Sequence, residues 1–490
     1  MNIWGISANS HDAAISVWHD KEIKFAAHSE RYSKIKNDAH LHKDLISDAK
    51  YYGKPDLIIW YESPVLKTLR QFTAGQGWNW QENNIRNYLN NYGFTASIHL
   101  GTHHHSHASA GYYTSDFTNA TIICLDSIGE FETLTIWKGI GNNINKFYSQ
   151  SYPHSIGLWY SAMTQRIGLK PNEEEYILMG MAAYGDANRL YGSILEDFFK
   201  NIGSPQIKLK QNLHKGCQWW RPDLQTEQDM FDIAAATQKV YTDILKNLSS
   251  WAKQNVGSDN LVLMGGCALN CLANSEITND WKNIWIMPNP GDAGSAIGCV
   301  AGYIGEKINW PGPYLGYDLG QKYPIGSLMR TLKSGKIVGV ASGRAEFGPR
   351  ALGNRSLLAD PRGNNIKDLV NQIKQRQKFR PFAPAILEEY ADSFFDMPKN
   401  VKKSPYMQYV AKCKFPDLFP AIVHKDGTSR VQTVGHNDNI GFRLLLENWY
   451  EDTGCPLLLN TSLNIKGQPI VNDLEDAKQF EKLYNVKVYN

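Results

Sequence analysis

Four histidines fall within five residues, at His103, His104, His105 and His107. If this stretch is helical, positions four apart share a face, and His103 and His107 point the same way. Two imidazoles at that spacing can bind one divalent cation, which then needs oxygen ligands from elsewhere in the chain. Asp126 closes one apolar run, and Asp292 sits in a Gly-Asp-Ala-Gly turn after another. Both are candidate oxygen donors. A solvated polar turn is the competing reading of the same cluster.

Other stretches offer different chemistry. Gly265-Gly266-Cys267-Ala268-Leu269-Asn270 follows an apolar strand and leads toward a helix. Glycines there allow close backbone approach, and helix-start amides favour phosphate oxygens; a tight strand-to-helix turn would read the same. His11, beside Asp12 in an early turn, is either a general base titrating near neutrality or a structural histidine. Cationic groups gather later in the chain. Arg344, Arg350 and Arg355 are interleaved with glycines over 343–356, Lys374, Arg376 and Arg380 follow, and Arg430 stands beyond them. Guanidinium forks suit phosphate and carbamoyl oxygens, whereas unrelated surface ion pairs would explain the same residues without a ligand. Asn460 and Ser462 end an apolar run with an amide and a hydroxyl suited to orienting a phosphate or a base. No P-loop or Gly-x-Gly-x-x-Gly fingerprint is present.

Positioning these groups requires a layered α/β chain. A strand–turn–strand over 3–18 recurs over 120–137, which is weak evidence for an internal duplication. Helical material dominates about 157–200 and 227–256, and apolar strands at 260–264 and 284–287 follow. The turn-rich, aromatic stretch Trp310-Pro311-Gly312-Pro313 marks the main boundary, giving domains 1–310 and 311–490.

Composition narrows the class. The 490 residues are 42% apolar and carry a net charge of +3. They are therefore long enough for several cores and show no global basic field toward nucleic acid or membrane. No apolar run reaches the roughly 18 residues of a membrane span, and the first residues lack a signal-peptide layout. Seven cysteines without a Cys-x-x-Cys pair fit a reducing, cytoplasmic setting. On these grounds alone the chain is a phosphate-handling enzyme of undetermined reaction.

Many dispersed strings of the chain resemble the NodU/CmcH-type O-carbamoyltransferases. They include Gly5-Ile6-Ser7 with His11-Asp12, Ser29-Glu30-Arg31-Tyr32 with Lys36, the His103–His107 cluster, and Met179 to Gly185. The Gly265-Gly266 loop, the run Glu346 to Arg355, Phe379 to Pro384, and Asn460-Thr461-Ser462 complete the set. The resemblance implies an N-terminal actin-like, duplicated ATPase-type domain that carries out transfer. It also implies a C-terminal domain like the one that makes threonylcarbamoyl adenylate in tRNA modification. ATP and carbamoyl phosphate would form carbamoyl adenylate, whose carbamoyl group passes to a hydroxyl of a small acceptor (a sugar, an antibiotic or a nucleoside-like molecule).

By that resemblance His103, His107, Asp126 and Asp292 hold Fe2+ or another divalent metal, with Mg2+ also implied, and His11 is the base. Arg350, Lys374, Arg380, Arg430, Asn460 and Ser462 bind carbamoyl phosphate and ATP, with Lys374 and Arg350 catalytic. Arg355 is placed with the carbamoyl phosphate ligands, and Gly265, Gly266 and Asn270 with the nucleotide. The chain departs from the family's pattern at His28-Ser29, where acidic residues are usual, and at His105, usually apolar. Two alternatives stand beside this reading: carbamoylation of a nucleotide or nucleic acid, and a non-catalytic metal- and nucleotide-binding regulator on the same fold.

Overall fold

The computed structural model describes residues 1–363 and 365–490. The chain divides into two compact units. The first comprises Met1–Asn9, Ile15–Glu22 and Gly53–Trp310; the second comprises Ser10–Ala14, Ile23–Tyr52 and Pro311–Asn490. Two early segments, placed in an N-terminal domain by a linear reading, thus pack with the second unit.

In the first unit the strand Asn2–Ser7 pairs in parallel with Leu57–Trp60, which pairs in parallel with Ser97–Leu100. Ala14–His19 flanks Asn2–Ser7 on the other side. A second sheet places Asn143–Ser151, Glu132–Ile140, Asn119–Gly129, Asn260–Met264 and Asn283–Trp285 in that order. Its last three strands are again parallel. In both sheets the first strand lies between the strand that follows it in the chain and a later parallel strand, which pairs in turn with the last. The hairpin that recurs in the sequence is therefore the start of a recurring sheet. Asn2–Ser7 and Asn119–Gly129 are apolar on both faces and buried on both, as sheet centres covered by helices must be.

The helices His103–Thr114 and Ser295–Ile304 cover these strands. Their contact is close because Gly298 has no side chain: a Cβ there would lie 1.9 Å from the Ser106 carbonyl. Ser16 Oγ donates to the Ala296 carbonyl at 2.6 Å and ties the second helix to the first sheet. The helical region after 156 is three short helices, Ile156–Arg166, Glu175–Met181 and Asn188–Phe198. The long helix Glu227–Val256 follows, with a capping box at Thr226 and Asp229 and a left-handed Gly257 at its end.

The second unit is built on a six-stranded mixed sheet. Its strands run Gln432–Val434, Ala383–Leu387, Leu457–Ser462, Arg355–Ala359, Val338–Ala341 and Val488–Tyr489. Leu328, Leu332, Phe442, Leu445 and Trp449, from the helices Ile325–Lys333 and Ile440–Thr453, close the core with Leu457, Leu458 and Leu459. Antiparallel register sets Asn460 beside Leu358 and Ala383, and Ser462 beside Ser356. Both polar residues thus lie at the same end of a central strand.

All seven cysteines are free. Among the described residues no helix is long and apolar enough to cross a membrane.

Candidate functional site

In the first unit His103 opens its helix behind Thr102, and His107 follows one turn later on the same face. Asp126 stands where the strand Asn119–Gly129 loses regular pairing, between Leu125 and Gly129. Asp292 begins the short turn before Ser295–Ile304. These four residues converge, with one ligand atom from each lying within 4.8 Å of all the others. The Nε2 atom of His103 is 3.1 Å from Asp126 Oδ2 and 3.3 Å from Asp292 Oδ1. His107 Nε2 is 3.3 and 3.4 Å from the same two oxygens. The two imidazole nitrogens are 3.1 Å apart.

Two imidazoles and two carboxylates in this arrangement could hold a metal ion. Burial disfavours charge on His103, yet the Asp292 carboxylate and hydrogen bonds to Asp126 and Asp292 hold its pKa well above the ordinary value. Burial likewise opposes charge on Asp126, but the hydrogen bonds and charges of His103 and His107 hold its pKa well below. Two nitrogen and two carboxylate donors, charge-neutral with a divalent ion, fit a borderline transition metal.

The remaining histidines of the cluster do other work. His104 is fully buried against Thr135 Oγ1 at 2.9 Å, and burial drives its pKa well below the usual value. The His105 ring lies 5.7 Å from that of Trp137.

Gly265 and Gly266 adjoin this cluster. Gly265 has φ +86°, and a Cβ on it would sit 2.0 Å from the Leu125 carbonyl; one on Gly266 would lie 3.3 Å from Asp126 Oδ1. The loop continues as a short 3-10 turn before the helix Cys271–Glu276. Asn270 caps that helix through Ala273 N and exchanges two hydrogen bonds with Gln238. Both atoms of its amide thus help to order the loop.

In the second unit Lys374 follows directly on the helix Ile366–Ile373 and is buried. Its Nζ lies 2.5 Å from the Ser462 carbonyl, 3.1 Å from Ser462 Oγ, 2.9 Å from the Asn464 carbonyl and 2.7 Å from Asn464 Oδ1. Burial, reinforced by the Arg376 and Arg380 charges, pushes its pKa well below the ordinary lysine value. An anion there would restore its full charge.

Asn460 donates to Gln432 Oε1 at 2.7 Å and to the Ala351 carbonyl at 3.1 Å. This connects Ser462's strand to the loop carrying Arg350. Glu346 shapes that loop by accepting from the backbone N–H groups of Leu352, Asn354 and Arg355. Arg430 ends the strand Thr428–Arg430, two residues before Gln432.

Arg355 is corrected. It is fully buried, and its guanidinium donates to the carbonyls of Asn472, Ser342, Asn354, Tyr317 and Gly343. With its donors spent on five backbone oxygens, it is a structural pin and has none left for carbamoyl phosphate. Arg376, against the Phe382 ring and Asn371 Oδ1, is similarly engaged.

The early turn carrying His11 belongs to the second unit. The backbone N–H groups of Asp12 and Ala13 donate to the Asn37 and Asp38 carbonyls. Asp12 Oδ1 lies 3.2 Å from His28 Nδ1. Burial would raise the Asp12 pKa, but His28, His11 and Lys36 bring it below the usual value. Arg31 donates to the Gly348 carbonyl at 3.0 Å, and Glu30 accepts from Lys36.

Sequence reasoning passed over Glu62, Lys67, Glu130 and Ser295 near the four-residue cluster, and Gln432 in the second unit. None sits in a spacing that signals a ligand, and only the tertiary register reveals them.

Family models place this architecture. The model described as carbamoyltransferase N-terminus matches residues 61–301, and that described as carbamoyltransferase C-terminus matches 329–489. The chain belongs to the carbamoyltransferase family. It is 31% identical to an uncharacterized Synechocystis sp. protein, sll1178, over 97% of this chain and 93% of that one. It is also 31% identical to the nodulation protein NolO of Bradyrhizobium diazoefficiens, over 76% of this chain and 75% of the relative. Nodulation protein U of Azorhizobium caulinodans matches at 34% identity over 52% of this chain and 48% of its own.

Proposed function

We propose that this chain is an ATP-dependent O-carbamoyltransferase, forming carbamoyl adenylate and passing the carbamoyl group to a hydroxyl of a small acceptor. The observation that carries the reading is the match of carbamoyltransferase models to both parts of the chain, 61–301 and 329–489. The shared strand order of the two sheets supports an actin-like duplicated ATPase-type domain within 1–310. Residues 311–490, with their buried lysine and flanking arginines, form the adenylate-making domain. The free cysteines fit a cytoplasmic setting.

Water takes the phosphoryl group of carbamoyl phosphate, the P–O bond to the carbamoyl oxygen breaks, and phosphate and carbamate result. A carbamate oxygen attacks the α-phosphorus of ATP, and the bond to pyrophosphate breaks. Lys374, Arg350, Arg380 and Arg430 hold the several negative charges together, while Ser462 and Asn460 orient them. The acceptor hydroxyl oxygen then attacks the carbamoyl carbon, the bond to AMP breaks, and His11 takes the hydroxyl proton. Gly265 and Gly266, packed against Leu125 and Asp126, set the loop that takes the nucleotide. A divalent ion such as Fe2+, held by His103, His107, Asp126 and Asp292, would orient phosphate oxygens and offset charge as AMP leaves, with Mg2+ accompanying ATP.

The test is to incubate the purified chain with ATP and carbamoyl phosphate, without acceptor, and resolve the nucleotides by mass. Carbamoyl adenylate or AMP, with pyrophosphate, is expected only when carbamoyl phosphate is present. ADP as the sole product would overturn the reading.

A further inference from the structure

Glu62 stands between the strand Leu57–Trp60 and the helix Pro64–Thr73, with its side chain only 4% exposed. Its two carboxylate oxygens face different partners. Oε1 takes Lys67 Nζ at 2.7 Å, and that ammonium also donates to the Asn9 carbonyl at 2.7 Å. Oε2 faces His103 Nδ1 at 3.7 Å. That imidazole nitrogen is buried and has no hydrogen-bond partner. The corresponding atom of His107 lies 3.3 Å from Ser295 Oγ. The two histidines of the cluster are thus backed unequally, one by an anchored carboxylate and the other by a hydroxyl.

We propose that Glu62 is a positioning residue for the cation centre. It accepts the Nδ1–H of His103, which fixes the tautomer whose Nε2 lone pair points at Asp126 and Asp292. An N–H···O bond is about 2.9 Å long, so a shift of under about 1 Å closes the contact. A carboxylate behind a ligating imidazole raises its basicity and locks the ring. Lys67 holds the carboxylate in place through Oε1. The inference rests on the reading of His103, His107, Asp126 and Asp292 as a cation site.

The test uses the full chain stripped with chelator and titrated with Co2+, followed by equilibrium dialysis and by the visible absorption of the bound ion. Glu62→Gln is expected to weaken Co2+ binding about 10- to 100-fold and to shift the absorption bands at saturating Co2+. The double variant Glu62→Gln/Lys67→Met removes both buried charges together, so it keeps the test valid if the single variant folds poorly. It should show the same weakening. Wild-type affinity with an unchanged spectrum in either variant would overturn the role of Glu62. Wild-type affinity in His103→Ala/Asp292→Ala would instead overturn the cation site itself, and the inference with it.

Discussion

The two polar centres of this chain are opposites in charge. In the first unit, His103, His107, Asp126 and Asp292 crowd lone pairs and two carboxylates into a space under 5 Å across and call for a cation. In the second unit, the buried ammonium of Lys374 faces oxygens of Ser462 and Asn464, and burial with the Arg376 and Arg380 charges lowers its pKa. The two centres would thus suit ligands of opposite charge, as the proposed reaction of ATP with carbamoyl phosphate requires. The contrast extends to their supports. The first centre is set by a helix, a strand irregularity and a turn, whereas the second hangs from the end of one central strand.

The comparison breaks most readily by removing ligands. His103→Ala/Asp292→Ala should abolish cation retention, read by dialysis against Co2+, and leave pyrophosphate release with ATP and carbamoyl phosphate intact. If activation falls as far as cation binding, the two centres are not separate in function.

Next in size, Lys374→Met should lower pyrophosphate release by about 10²- to 10³-fold while Co2+ affinity stays unchanged. The same variant tests the sign of the lysine's shift. A lysine whose folded pKa is depressed is protonated more readily in the unfolded chain, so native stability through this group rises as pH climbs from the folded pKa toward the unfolded value near 10.5. Chemical unfolding across that window should show the slope in the wild type and lose it in the variant.

Arg355 and Arg350 separate scaffold from ligand. Arg355→Met should cost roughly 3 kcal/mol or more, because it leaves buried carbonyls without donors. Arg350→Met should slow activation, the step in which Arg350 is proposed to act; denaturant titration beside the activation assay reads both variants.

The smallest effect concerns Glu130, whose pKa is pushed up to about 7, chiefly by burial. A carboxyl raised in the fold binds its proton more tightly there than in the unfolded chain. Stability from this group is therefore full below the unfolded pKa of 4.5 and fades as pH rises through about 7. Glu130→Gln should flatten that slope, by at most on the order of 3 kcal/mol.

Much of the first centre was legible because its signal is local: an i, i+4 histidine pair on one helix and aspartates at strand ends. The sheet repeat was visible as two hairpins, since buried strands are short apolar runs flanked by turn residues. What escaped the sequence depends on where hydrogen-bond donors end up. Arg355 and Arg350 look alike in Pro349-Arg350-Ala351-Leu352-Gly353-Asn354-Arg355, and only the folded backbone shows five carbonyls around one of them. The pairing of the Asn270 amide with Gln238 and a helix end was hidden for the same reason. Glu62 carries no spacing signal, because its partners lie five and forty-one positions away.

The interleaving of the two units has a genetic corollary. A gene fragment starting at Pro311 would encode the six-stranded sheet but omit Ser10–Ala14 and Ile23–Tyr52, which belong to the same compact body. It would lack Lys24, whose carbonyl takes a hydrogen bond from Arg344, and Arg31, which holds the Gly348 carbonyl. Recombination that shuffles the C-terminal part as a cassette would therefore deliver a body with pieces missing. No single cut of the chain separates the two units whole.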